Sequence, residues 1–121
     1  MPTLPIVGDY FRPPAKAFIA ALPVGAKLIL RAEPDNAYDP NAIAVHLHGP
    51  DIPPASHEEL ERQLQGFGFT LSEALNDDWH LGYLPRDLAA EQKALGFPEG
   101  EDVPGTFSVS ARGKGLVRFD Y

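Results

Sequence analysis

Thirteen prolines and eleven glycines interrupt this chain of 121 residues. Proline removes a backbone donor and glycine lowers the order of any regular element, so long helices are disfavoured and short strands joined by turns are expected. The length suits one domain, since domains cluster at about 100–150 residues, and it is enough for a core without staples. Cysteine is absent, which excludes disulfides, thiolate metal sites and cysteine nucleophiles. With no sign of an oxidising compartment, a cytoplasmic protein is expected. Residues 1–5 carry neither a basic nor an apolar leader region, so no signal peptide is expected. The most apolar stretch, residues 17–26, is broken by Pro23 and Gly25. It falls short of the roughly 20 apolar residues a membrane helix needs, and no membrane partner is expected.

The formal net charge is −7, which argues against a nucleic-acid partner until its distribution is considered. Residues 49–79 hold Asp51, Glu58, Glu59, Glu61, Glu73, Asp77 and Asp78 against Arg62 alone, and so account for −6 of that −7. The rest of the chain is nearly neutral and can carry a basic groove.

The local patterns predict strands over residues 3–10, 27–31, 42–48 and 79–84, and a hairpin over 105–121 turning at 113–115. A loop or short helix is expected over 15–22. In the third strand Ile43, Val45 and Leu47 should face the core, with Ala42, Ala44, His46 and His48 on the other face. Ser56 with Glu59 and Thr70 with Glu73 form two S/T-x-x-E patterns, predicting capped helices at about 57–65 and 71–76. Pro85 and Gly96 bracket a helix at about 86–95. The acidic segment is expected to lie outside the sheet and cover it with Leu60, Leu64, Phe67, Phe69, Leu71 and Leu75. Many short strands with few helices imply a mostly β, α+β domain built as a small barrel.

Between the second and third strands lies Glu33-Pro34-Asp35-Asn36-Ala37-Tyr38-Asp39-Pro40-Asn41, dense in turn formers. The stretch 30–45 that contains it resembles the signature of the HIRAN domain. His80-Leu81-Gly82-Tyr83-Leu84-Pro85-Arg86-Asp87-Leu88-Ala89 is similar to a second block of that family, and Val7-Gly8-Asp9-Tyr10-Phe11 to its first strand. The resemblance covers about residues 4–48 and 79–97, and the acidic segment at about 49–79 stands as an insertion within a single HIRAN-like domain.

The resemblance implies a modified OB-like barrel with short flanking helices that binds single-stranded DNA at its 3′ end. An aromatic pair sandwiches the terminal base and an aspartate accepts from the free 3′-hydroxyl. By position, Tyr38 is the stacking tyrosine, Asp39 the hydroxyl acceptor and Phe11 the second aromatic, with Asn36 beside them. Tyr10 stands where the family pattern has a phosphate-binding arginine, and Tyr83 where it has a histidine. Arg12, Lys16 or Arg86 would then supply the missing charge. Such a stand-alone module needs no cofactor and would act with a helicase or nuclease partner.

Read without the resemblance, Tyr38 is a rim aromatic and Asp39 a turn cap, although aromatics on β platforms also stack on bases. His46 and His48 share a strand face and, with Asp35 or Asp39, are a minor candidate for a metal-dependent hydrolase site. His57 and His80 stand alone. Gly66-Phe67-Gly68-Phe69 matches no phosphate loop, and no serine has a nucleophile context. A binding module is therefore expected rather than an enzyme. The alternative is a protein-interaction module that docks a basic partner on the acidic segment. The two differ in whether Arg12, Lys16, Arg86, Arg112, Lys114 and Arg118 form one stripe beside Tyr38.

Overall fold

The computed structural model describes residues 2–8 and 14–121. Six antiparallel strands form one curled, barrel-like sheet: β1 (Thr3–Pro5), β2 (Lys27–Ala32), β3 (Ile43–His48), β4 (Asp78–Tyr83), β5 (Val103–Val109) and β6 (Gly115–Phe119). Their spatial order is β1-β6-β5-β2-β3-β4. The two ends of that order meet just beyond β1, where Val7 bridges Tyr83 at the end of β4. The described residues also form four α-helices: α1 (Ala15–Ala21), α2 (His57–Gln65), α3 (Leu71–Asn76) and α4 (Arg86–Ala94). No helix among the described residues is long and apolar enough to cross a membrane.

Period-two patterning places the core. Leu28, Leu30 and Ala32 of β2, Val103 and Phe107 of β5, and Val117 and Phe119 of β6 are buried, while Lys27, Arg31, Thr106 and Arg118 between them are exposed. Ile43, Val45 and Leu47 of β3 are buried as expected. The opposite face of β3 departs from simple alternation. Ala42 and Ala44 are buried too, and His46 is half-buried, leaving His48 exposed. Ala44 lies between Arg31 of β2 and Tyr83 of β4, whose longer side chains shelter it.

Where β3 meets β4 the register shifts: Val45 opposes Gly82, but His46 opposes His80. Leu81 is the extra residue of this β-bulge and points into the core, fully buried. His80 and Tyr83, three apart in sequence, consequently lie on the same outer face.

Residues 49–79 are helical where expected but are not a peripheral excursion. They add Ile52, Leu60, Leu64 and Ala74 to the core, and α2 packs against α1. Phe18 of α1 and Phe69 flank Trp79, at ring separations of 5.4 and 5.6 Å. Phe67, expected to cover the sheet, is instead exposed. At α3 the capping box is complete: Glu73 N–H donates to Thr70 Oγ1 at 3.1 Å and Thr70 N–H to Glu73 Oε1 at 3.0 Å. The Ser56 box does not form. The Ser56 hydroxyl donates to Pro53 O at 2.8 Å, and Glu59 is taken by Arg62 and Gln63, because a preceding 3-10 turn holds Ser56 in helical backbone geometry. Gly96, at φ +99°, ends α4, with Phe97 N–H donating to Gln92 O and Gly96 N–H to Lys93 O.

Candidate functional site

The loop from residue 33 to residue 42 is a closed, hydrogen-bonded structure. Glu33 N–H donates to Ala42 O at 2.9 Å and Ala42 N–H to Asp39 O at 3.0 Å. Asn36 is its organiser. Its Oδ1 accepts from Tyr38 N–H and Asp39 N–H, at 2.9 and 3.1 Å, and its Nδ2 donates to Glu33 Oε1 at 3.0 Å. Asp39 Oδ1 accepts from Asn41 N–H at 2.9 Å, so the carboxylate does cap its own turn.

This loop forms one wall of a cleft of about 340 Å³ lined by Val7, Asn36, Tyr38, Asp39, Tyr83 and Arg86, with Ala42 and Leu84 at its base. Tyr38 is 92% exposed, a large aromatic held out in solvent by an ordered turn. The Asp39 side chain is only 17% exposed, and its Oδ2 lies 3.8 Å from Arg86 Nε at the start of α4. The cleft therefore combines an exposed aromatic face, a sheltered carboxylate acceptor and one exposed cation.

Five of the expected site residues meet here: Asn36, Tyr38, Asp39, Tyr83 and Arg86. Lys16 does not; it is exposed at the start of α1 and lines no part of the cleft. Tyr10, Phe11 and Arg12 lie outside the described residues. Arg112 and Lys114 sit at the β5–β6 turn and Arg118 on β6, away from the cleft lining. Among the described residues Arg86 is thus the cation of the cleft, and there is no shared basic stripe. The acidic segment contributes nothing to the cleft lining. It joins the far ends of β3 and β4, about 15–20 Å away along the strands.

A second constellation lies on the outer face of the sheet beside the cleft. The rings of His46 and His80 stack with centroids 4.7 Å apart, and His80 meets Tyr83 edge-on at 4.7 Å. The Tyr83 hydroxyl donates to Glu33 Oε1 at 2.9 Å. His80 Nε2 lies 2.9 Å from Gly82 O. Burial first, then repulsion from His80 and Arg31, lowers the His46 pKa to about 4, so its imidazole is neutral at pH 7. Arg31 is held by Asp102 through two bonds of 2.8 and 3.1 Å, an ion pair that holds the Asp102 carboxyl below its usual range.

The minor candidate pairing of His46 with His48 is not formed. His48 bonds Asp78, which raises its pKa, whereas the neighbours of His46 are His80 and Glu33. Residues two apart on a strand share a face but stand nearly 7 Å apart, while directly paired residues are closer. His80 and Glu33 were not legible as partners, since their meeting depends on strand pairing and the bulge.

No family model and no curated protein matches this chain. A crystal structure of a structural-genomics target from Lactobacillus plantarum superposes on it with a TM-score of 0.52, covering 100% of this chain and 94% of that one. The two share a fold. At 22% identity the likeness extends to the architecture alone.

Proposed function

We propose that this chain is a HIRAN-type module with a modified OB-like barrel, and that its cleft binds single-stranded DNA at a 3′-hydroxyl end. The observation that carries the reading is the 92% exposed Tyr38 ring beside the sheltered Asp39 carboxylate. A stacking aromatic binds any base, whereas a carboxylate acceptor favours a hydroxyl terminus and repels a phosphate. Backbone contacts alone cannot tell a terminus from an interior. Arg86 is the phosphate contact, so binding depends weakly on salt, with a log–log slope near −0.7 for each phosphate neutralised on a single strand.

Fluorescence anisotropy with matched single strands ending in a 3′-hydroxyl or a 3′-phosphate, at two salt concentrations, tests the reading. The hydroxyl end should bind more tightly. Asp39→Asn should narrow the difference, because an amide still pairs with a hydroxyl while the repulsion is gone. Equal wild-type affinity for both ends ends the strand-end reading. No binding even at low salt transfers the function to the exposed acidic surface of α2, where Glu58 and Glu61 would meet a basic protein partner.

A further inference from the structure

We propose that Glu33, His46 and His80 form a binding site for a transition-metal cation of the zinc class. One potential ligand atom from each residue lies within 4.8 Å of the other two, and all three side chains are half-buried. Zinc sits about 2.0–2.2 Å from nitrogen and carboxylate donors, which requires donors no more than about 4 Å apart. The His46 and His80 rings, stacked 18° from parallel, must turn out of that stack to aim both lone pairs at one ion.

Three independent parts of the fold converge on the site. His46 and His80 are cross-strand partners on β3 and β4, and Glu33 follows directly after β2. The bulge at Leu81 brings Tyr83 onto the same outer face. Two imidazoles and one carboxylate are a mixed nitrogen and oxygen set that suits zinc and neighbouring metals over calcium or magnesium, which prefer all-oxygen shells.

The surroundings are those of a supported metal site. A ligating histidine ordinarily donates its other ring N–H to a carbonyl, carboxylate or water. With Nε2 protonated, His80 makes that bond to Gly82 O at 2.9 Å, which places the ring's lone pair on Nδ1. Glu33 Oε1 accepts from both the Tyr83 hydroxyl and Asn36 Nδ2, which orients the carboxylate and leaves Oε2 to meet a cation. Glu33 and Asn36 thereby link the site to the loop that carries Tyr38. The metal site does not depend on the cleft binding DNA.

Isothermal titration calorimetry of the metal-free chain with zinc chloride tests the proposal, with magnesium and calcium chloride as comparison titrants. One equivalent of zinc should bind, and the other two cations should not. His46→Ala and His80→Ala should each abolish that equivalent. Tyr83→Phe, which removes the hydroxyl that orients Glu33, should weaken binding about tenfold. Glu33→Gln keeps an acceptor oxygen for Tyr83 and Asn36, so it should fold as the wild type does while losing affinity. His48→Ala, outside the cluster, should leave the affinity unchanged. Zinc should also raise the melting temperature of the wild type but not of the Glu33→Gln chain. A wild type that takes up no zinc overturns the proposal, as does a zinc equivalent that survives His80→Ala and disappears in His48→Ala.

Discussion

Val7 and Tyr83 exchange two backbone hydrogen bonds of 2.8 Å each, and this pair joins the two ends of the sheet order. It also sets the site, because Tyr83 lines the cleft and its hydroxyl holds Glu33. Gly82 makes the approach possible. A Cβ at that position would collide with the Val7 carbonyl oxygen and reach Ile6 Cγ2 at 3.0 Å. Gly82→Ala should destabilise the fold by about 1–3 kcal/mol, the usual cost of overpacking a tight site, read from denaturant unfolding. Stability unchanged from wild type would show that the closure yields without cost.

Tyr38 should separate binding from stability. Its side chain is almost wholly in solvent, so Tyr38→Ala should change unfolding free energy by less than about 0.5 kcal/mol. If the ring stacks on a terminal base, the same change should weaken single-strand binding by about 1–3 kcal/mol whatever the terminus. Anisotropy and denaturant titration on one preparation measure both.

Asn36 should couple the two properties instead. Its side chain makes bonds to two backbone amides and to Glu33, and Asn36→Ala leaves those groups to water or to each other. A loss of about 1–2 kcal/mol in stability is expected. If the cleft binds DNA as proposed, affinity should fall with it, because the turn presenting Tyr38 loses its organiser. A variant that binds as tightly as wild type would show that the turn holds its shape without Asn36.

Thr70→Ala should cost about 1 kcal/mol through loss of the α3 cap, since both halves of that box are formed. The effect should appear in thermal melts and leave the cleft untouched, for α3 lies at the other end of the β3–β4 hairpin.

His46 should make the metal-free chain pH-sensitive. Facing it are His80 from β4, Arg31 from β2, Glu33 and Asp102. Unfolded, its imidazole takes a proton near pH 6.5; folded, it does so only near pH 4. Between these values the unfolded state binds the extra proton, so stability falls as pH drops from about 6.5 to about 4, with no contribution from His46 above that window. Allowing for solvent screening of a half-buried ring, the loss is about 1–2 kcal/mol. Urea unfolding at pH 7 and pH 4.5 in chelator measures it, and His46→Gln should flatten the difference.

Much of the local structure was written in the chain. Alternation of apolar and polar residues located the inward face of β3, the glycines at 113 and 115 located the β5–β6 hairpin, and the Thr70 box located the start of α3, because these signals act between residues close in sequence. The turn chemistry of residues 33–42 was legible for the same reason. What surrounds the site was decided by tertiary structure. Ser56 has the same capping pattern as Thr70, yet the preceding 3-10 turn fixes its backbone where its hydroxyl meets Pro53. Arg86 was one of several cations until α4 docked it beside Asp39, 47 positions away in the chain. His80 looked isolated because strict alternation puts residues 80 and 83 on opposite faces. One inserted residue, Leu81, turned both outward, and the pairing of β3 with β4 brought His80 onto His46. A sequence fixes periodicity, but register and bulges come from long-range strand pairing, and those pairings determine which side chains meet.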